Sequence, residues 1–512
     1  MMEVEKKTPL QSFLDWVERV GNRLPHPVII FIILSLIIMV LSAVFAGLGT
    51  TAEYFDAKAN EQVTVEAVSL LSAEGLRYIF NHATSNFTGF APLGTVLVTM
   101  LGVGVAEWTG LIGSALKKLV TQVPDSLLTA VVVFAGVISN IASDAGYVVV
   151  IPLGAIVFAG AGRHPIAGLA AAFAGVSGGF SANLMFGPTD ALLTGITNAA
   201  LDSVGIEHTV SITGNWYFIM ASTLVLTLVG TWISTRIVEP HLGHYEGQAI
   251  HDDQDLTAEE NRGLKHAGLA LAAFLVLSFF AMVPEWAPLR SLNEATGQYD
   301  LQEFLNNGLI FYIFLLFAIP GLAYGWQTQK IQSSDDFVAA MTASMKSMAS
   351  YIVLAFFAAQ LIAYFSYTNL GLLLANSGAE FLKTVGLTGI PLILAFILLT
   401  AFVNLFIGSA SAKWAIMAPI FVPMFFQLGL SPELTQMAYR VADSSTNIIS
   451  PLMSYFAMIL VFMQRYDKKA GLGTLISVML PYSIAFLVFW TLMLVAWYFL
   501  NLPLGPGAGL HV

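Results

Sequence analysis

Apolar stretches of about twenty residues recur along the 512-residue chain, separated by short polar segments. At roughly 1.5 Å of rise per helical residue, each covers a hydrocarbon core of about 30 Å. The pattern predicts nine full spans, near residues 27–49, 90–113, 166–200, 215–237, 266–284, 305–325, 350–374, 434–463 and 474–500. Two further apolar segments, 126–161 and 388–428, are interrupted midway by small polar residues, SNIASDAG at 139–146 and GSASAKW at 408–414. Each reads as a re-entrant hairpin. The alternative, two full spans joined by a tight polar turn, leaves the parity unchanged. Residues 166–200 carry glycine and serine in mid-course, and as one helix they would run roughly 50 Å, too long for the bilayer core. A break around Ser177–Asn183, and another around Asp443–Pro451, would turn freed carbonyls and side-chain oxygens toward a cavity. Small residues that let helices pack closely in lipid are the competing explanation.

Composition agrees with this all-α polytopic membrane protein: 57% of residues are hydrophobic and 10% charged, and no soluble domain has room to fold between the spans. Cysteine is absent, which excludes disulfides and thiolate metal sites. The net charge of −11 resides mainly in loops, notably 239–260, so it reads as solvation and no nucleic-acid partner is expected. A cytoplasmic N-terminus and periplasmic C-terminus place fifteen of the 21 Lys and Arg residues in cytoplasmic loops. Lys413 and Arg440 fall inside apolar segments. With this orientation the first hairpin opens from the cytoplasm and the second from outside, so the two point at each other. The segments after the two tips align without gaps at an offset of 267: IPLGAIVFAGAGRHP at 151–165 faces APIFVPMFFQLGLSP at 418–432, pairing Pro152 with Pro419, Gly162 with Gly429 and Pro165 with Pro432. The same offset sets Ser177 against Ser444. Inverted repeats of this kind are a mark of secondary transporters, whose site lies at the midplane where discontinuous helices meet. The chain then divides into a cytoplasmic arm with an interfacial helix (1–26), a first repeat (27–238), a linker carrying the span at 266–284 (239–304) and a second repeat (305–512).

The candidate chemistry sits in RVADSSTNIISP at 440–451. A charge near the bilayer centre costs about 2.5–3.5 kcal/mol on insertion scales, so neither Arg440 nor Asp443 should face lipid. Three residues apart on a helix, they are expected to share a face and partly neutralise each other; a pair that merely fixes packing, or an Arg440 that snorkels outward, is the plainer alternative. Asp443 leads into Ser444 and Asn447, which makes it a candidate carrier of a sodium ion or a proton beside an anionic substrate. Hard oxygen donors for sodium are expected at the hairpin tips and helix breaks: Asn140, Ser143 and Asp144 at the first tip, Asn183 in the first break, and Ser409 and Ser411 at the second tip. Asp144 has a competing role as a helix N-cap, and Asp190, in FGPTDALL, as a helix-initiating residue. Lys413 is the least constrained of the intramembrane charges. Zinc-protease, nucleophile-elbow and phosphate-loop motifs are absent, and no cofactor is expected. An intramembrane enzyme using Asp144, Asp190 and Asp443 as acid and base is the alternative of another class, but an inverted repeat has no use in it.

Several words are more specific. WVERVGNRLPHP at 16–27, NFTGFAPLG at 86–94, GRHPIAGL at 162–169, ANL and TD within 182–190, APIFVPMF at 418–425, RVADSS at 440–445 and LPLGPG at 502–507 occur in order along nearly the whole chain. The chain thereby resembles the aminobenzoyl-glutamate (AbgT) transporter family of the bacterial inner membrane. The resemblance implies a homodimer with nine spans and two opposed hairpins per subunit. It also implies a substrate path through Asp190, Asn404, Trp414, Pro432, Arg440 and Asp443, and either import of p-aminobenzoyl-glutamate or export of sulfonamides. In that setting Trp414 would stack on the substrate ring and Arg440 would pair with its anionic group; packing beside the hairpin tip is the alternative for Trp414.

Overall fold

The computed structural model describes residues 25–512 except 26, 57–60, 122, 143–144, 244, 246–255, 294–297, 302, 305–307, 452 and 454. The expected interfacial helix near residues 11–24 lies outside them. Among the described residues, seven helices are long and apolar enough to cross a membrane. Six expected spans coincide with Pro27–Gly47, Ala91–Trp108, Trp216–Ile233, Ala258–Met282, Leu309–Gln327 and Leu472–Phe499. The span expected at 350–374 is corrected. Helix Ala349–Tyr367 stops early, Asn369 takes the left-handed conformation at φ 59°, and a separate helix, Leu370–Thr384, then bends by 119° into Gly389–Asn404. Asparagine is among the few non-glycine residues that tolerate this conformation. Helices Ala73–Thr88 and Ser334–Ser347, and the β-hairpins Thr51–Asp56/Glu61–Glu66 and Ser291–Asn293/Gln298–Asp300, were not predicted from apolar pattern. They lie in polar segments, where that pattern is silent.

The two interrupted segments each form a helix–turn–helix. The first is Leu128–Ser139, a single tight turn Asn140–Ala142, and Ala145–Gly160; the second is Gly389–Asn404 followed by Ala410–Gln427. Their arms run about 18, 24, 24 and 27 Å, each shorter than a roughly 30 Å core. The repeated local geometry is physical as well as textual. Pro152 and Pro419 both lie inside the return helix of their hairpin. Gly162 and Gly429 both end that helix at positive φ, 70° and 80°, where a side chain would be strained. Pro165 and Pro432 both occupy the first turn of the next helix, where a missing N–H costs nothing. The capping side chains before them, His164 and Ser431, each accept from a backbone N–H of that turn.

Those next helices are broken. Pro165–Phe173 widens into a π-turn at Ala174–Gly178, runs irregularly to Gly187 and resumes as Pro188–Asp202. Pro432–Asn447 gives way to an irregular stretch before Phe456–Gln464. The second break therefore starts later than expected, because Asp443 and Ser444 remain helical and only Ile448 onward unwinds. Each broken helix sends its second half across to the other repeat: Pro188–Asp202 packs on Ala410–Gln427, and Phe456–Gln464 on Ala145–Gly160 and Pro165–Phe173. Tyr147 and Tyr455 stack at 4.3 Å across that contact.

An ion pair fastens the base of the first hairpin. Arg163 donates from Nε and Nη2 to the two carboxylate oxygens of Glu239 at 2.7 and 2.5 Å, and from Nη2 to Thr129 Oγ1 at 2.8 Å. Replacing Arg163 by alanine is expected to cost about 1.5–3 kcal/mol, the scale of a charge-assisted hydrogen bond. Lysine should recover only part of this, because it cannot form the fork. The thermal midpoints of the purified variants check it.

Candidate functional site

Helix Pro432–Asn447 carries a polar residue every three or four positions along one stripe: Glu433, Gln436, Arg440, Asp443 and Asn447. All five are buried, so each needs a partner from another element, and each finds a different one. Glu433 meets His208 Nε2 at 2.9 Å. Gln436 accepts from Thr197 Oγ1 at 2.6 Å and donates to Asn215 Oδ1 at 3.2 Å. Arg440 Nη2 lies 2.6 Å from Asp190 Oδ1, Asp443 Oδ1 lies 2.5 Å from Lys413 Nζ, and Asn447 Oδ1 accepts from Asn404 Nδ2 at 2.9 Å.

The expected Arg440–Asp443 pairing is thus overturned. Both charges point along the stripe toward different neighbours, and the partners come from residues distant in sequence. Asp190 sits in the first turn of Pro188–Asp202, where its Oδ2 accepts from Gly187 N at 2.7 Å. It therefore caps a helix and also meets the arginine, so the two roles weighed for it coexist. Its contact with Arg440 is close but not aligned as a hydrogen bond. Asp190 Oδ1 and Arg440 Nε have no hydrogen-bond partner, while Arg440 Nη2 also donates to Ser181 O at 3.5 Å. Arg440 is therefore held mainly by charge and retains donor capacity for an anion.

Lys413, the least constrained charge in the sequence, proves to be the partner of Asp443. Its ammonium also donates to Asn404 Oδ1 and lies 5.6 Å from the centre of the Tyr439 ring. Asn404 joins three parts of the broken helix, its Nδ2 reaching Asp443 O at 2.7 Å, Thr446 Oγ1 at 2.8 Å and Asn447 Oδ1 at 2.9 Å. Beyond the helix end, Ser450 Oγ donates to Asn404 O at 3.0 Å, and Ser483 Oγ donates to Ser445 O at 2.8 Å. Carbonyls around the break are thereby satisfied by side chains. Lys413 and Asp443 expose 0% and 1% of their surface, Arg440 and Asp190 2% and 4%. The charged cluster is closed to solvent in this conformation.

Trp414 is fully buried; its Nε1 donates to Thr197 Oγ1 at 3.0 Å and its ring lies 4.5 Å from Tyr439, tilted by 34°. Pro432 opens the stripe-bearing helix. The six substrate-path candidates, Asp190, Asn404, Trp414, Pro432, Arg440 and Asp443, accordingly lie on or against one helix. The ion-donor candidates are more dispersed. Ser444 Oγ accepts from Ser181 N at 3.1 Å and so ties the two breaks together. Asn183 Oδ1 accepts from Leu184 N, and Ser409 caps Ala410–Gln427 and meets Ser411 Oγ at 3.3 Å. Asn140 donates to Val137 O at 3.0 Å and Gly179 O at 3.4 Å, while its Oδ1 is buried without a hydrogen-bond partner, as is Ser181 Oγ. Ser143 and Asp144 lie outside the described residues.

At the outer end of the stripe, the hydrogen bond that His208 Nε2–H donates to the Glu433 carboxylate raises the pKa of His208 above its usual value, against the opposing effect of burial. A raised histidine pKa stabilises the fold below the unfolded value of about 6.5, and that contribution is lost as pH rises through the folded pKa. The thermal midpoint of wild type relative to His208→Ala is expected to be highest in acid and to fall as pH rises toward 8.

Sequence reasoning missed His208, Thr197, Gln436 and Asn215, and it marked Lys413 as an intramembrane charge without naming its partner. The three-and-four spacing of polar residues from Glu433 to Asn447 was the available signal for the stripe.

Residues 12–512 match the model of the AbgT transporter family. The chain is 40% identical over 507 residues to the p-aminobenzoyl-glutamate transport protein of Escherichia coli (strain K12), covering 99% of this chain and 98% of that one. Two solved structures are similar throughout. The Alcanivorax borkumensis YdaH transporter, described as having an unusual topology, is 46% identical with a TM-score of 0.87, covering 94% of this chain and 100% of its own. Neisseria gonorrhoeae MtrF, described as illuminating a class of antimetabolite efflux pumps, is 47% identical with a TM-score of 0.90, covering 97% of this chain and 100% of its own. With a buried, doubly ion-paired cluster between two broken helices and a family match over almost its entire length, this chain belongs to the AbgT family of membrane transporters, whose members here are transporters and not enzymes.

Proposed function

We propose that this protein is an ion-coupled secondary transporter that exports p-aminobenzoyl-glutamate-like and sulfonamide antimetabolite anions by alternating access. It would act as a homodimer in the bacterial inner membrane, with its N-terminus cytoplasmic and its C-terminus periplasmic. The observation that carries the reading is the Asp190–Arg440 contact, in which the broken helix of one half supplies the carboxylate and that of the other supplies the guanidinium. An incoming carboxylate or sulfonamide anion competes with Asp190 for Arg440, and its release allows the pair to close again. The closed cluster is then the resting state between the two openings. Of the two coupling ions considered, a proton needs only a carboxylate. Sodium needs hard oxygens, and Asn140 Oδ1 and Ser181 Oγ, buried and without hydrogen-bond partners beside Gly179, are of the right chemistry to hold it. Bound there, it would supply the positive charge that accompanies an anion.

Support for export over uptake comes from the description of MtrF, 47% identical, as illuminating a class of antimetabolite efflux pumps. Radiolabelled sulfonamide and aminobenzoyl-glutamate flux in proteoliposomes, with sodium and proton gradients imposed separately, tests the reading. Flux that collapses with one gradient supports it and identifies the ion; absence of flux under every gradient from folded protein overturns it. Sulfonamide sensitivity on deletion distinguishes export from uptake, which instead predicts lost growth on aminobenzoyl-glutamate in a strain requiring p-aminobenzoate.

A further inference from the structure

Between the outer end of the stripe and Arg440, residues 197–215 meet residues 414–436 through a run of polar side chains. His208 Nε2 meets the Glu433 carboxylate at 2.9 Å, and Asn215 Nδ2 donates to Glu433 O at 2.9 Å. Gln436 then joins Asn215 Oδ1, at 3.2 Å, to Thr197 Oγ1, at 2.6 Å, and Thr197 Oγ1 accepts from Trp414 Nε1 at 3.0 Å. Exposure falls inward along this seam. The side chain of His208 is 30% exposed and that of Glu433 5%, whereas Gln436 and Thr197 expose 1% and 0% of their surface. Seven residues, or about 10 Å of helix, separate Glu433 from Arg440. The C-terminal tail, periplasmic in the topology proposed above, lies at the same end, where Ser431 N donates to Leu510 O at 3.0 Å.

The chemistry of the seam differs from that of the helix's other faces. Leu434, Met437, Ala438 and Val441 belong to the apolar core, and parting them from it would expose hydrocarbon to water. Parting the seam instead exchanges each hydrogen bond for bonds to water, which costs little net free energy. Thr197 would also keep its bond to Leu193 O within its own helix. A contact that stays shut is served best by apolar packing; this one can open and be wetted.

We propose that this seam is the closed exit path of the transported anion, with Thr197 and Gln436 forming its constriction and His208 and Glu433 its outer mouth. The proposal rests on the alternating-access export described above. When the two walls part, the Gln436 and Asn215 amides and the Thr197 hydroxyl turn donors toward an anion that has left Arg440. At the mouth, a protonated His208 offsets the Glu433 carboxylate that would otherwise repel it.

The chain has no cysteine, so a single introduced thiol reports the path. Right-side-out membrane vesicles carrying Gln436→Cys are loaded with sulfonamide, energised with the gradient that supports flux, and exposed outside to a membrane-impermeant methanethiosulfonate. Labelling is expected to run at least about tenfold faster than without substrate, a population shift of ~1.4 kcal/mol. Ala438→Cys is the control: fully buried, it lies about 200° around the same helix and should stay unlabelled. A Gln436→Cys protein that carries flux yet stays unlabelled overturns the proposal, as does labelling of Ala438→Cys at the same rate. If Gln436→Cys does not carry flux, Thr197→Cys, on the opposite wall, decides by the same criteria. If neither variant carries flux, wild-type hydrogen exchange decides: faster exchange of the amides of 203–215 during sulfonamide turnover supports the path, and unchanged exchange overturns it. Absence of wild-type flux under every gradient overturns the transport reading itself, whereas wild-type flux past a seam that stays closed by these measures overturns this path alone.

Discussion

Arg440→Ala is expected to abolish substrate flux and to destabilise the protein by about 3–5 kcal/mol, the cost of removing one partner of a buried ion pair. The reason is specific to the site. Asp190 is 4% exposed, and without Arg440 its remaining contact is the Gly187 N–H at 2.7 Å. Removing both charges, in Asp190→Asn with Arg440→Met, should restore most of the stability and none of the flux, because the anion has then lost its cationic partner. Arg440→Lys keeps the charge but loses the planar fork, and flux is expected to fall at least about tenfold, or ~1.4 kcal/mol. Thermal midpoints and initial proteoliposome rates, normalised to folded protein, separate these effects. Wild-type flux from Arg440→Ala would place the anion elsewhere.

The second large effect is expected at Trp414. It is fully buried, with its ring on Tyr439 and its indole N–H on Thr197. Alanine there should cost about 3–5 kcal/mol by emptying a large core position. Phenylalanine keeps a ring against Tyr439 but gives up the hydrogen bond, leaving Thr197 Oγ1 its bonds to Leu193 O and Gln436 Oε1, so its cost should be nearer ~1 kcal/mol. The two roles for Trp414 divide on kinetics. If the ring only packs, Trp414→Phe leaves the apparent KM unchanged once rates are normalised to folded protein. If it also stacks on substrate when the cluster opens, the KM rises while the midpoint changes little.

The same residues show how far the chain could be read without its fold. Spans were legible because the bilayer makes each helix satisfy its own backbone and desolvate residue by residue, so hydropathy alone marks them. The repeat was legible at Pro152, Gly162 and Pro165 and their counterparts Pro419, Gly429 and Pro432. Proline and glycine specify local dihedral angles, and here they occupy matching positions at helix ends. The break after Asn447 was read five residues early, because Asp443 and Ser444 have poor helix propensity that packing overrides.

What the sequence determined by itself was the membrane class, the position of most spans, the family and the helix that bears the charged residues, all of which follow from local composition and short motifs. Tertiary structure alone decided which charge meets which. The i, i+3 rule offered Arg440 and Asp443 to each other, yet the fold gives Arg440 to Asp190, 250 positions away, and Asp443 to Lys413, 30 positions away. A buried charge takes the opposite charge that packing brings nearest while water is excluded, and that proximity exists only after the two halves have crossed.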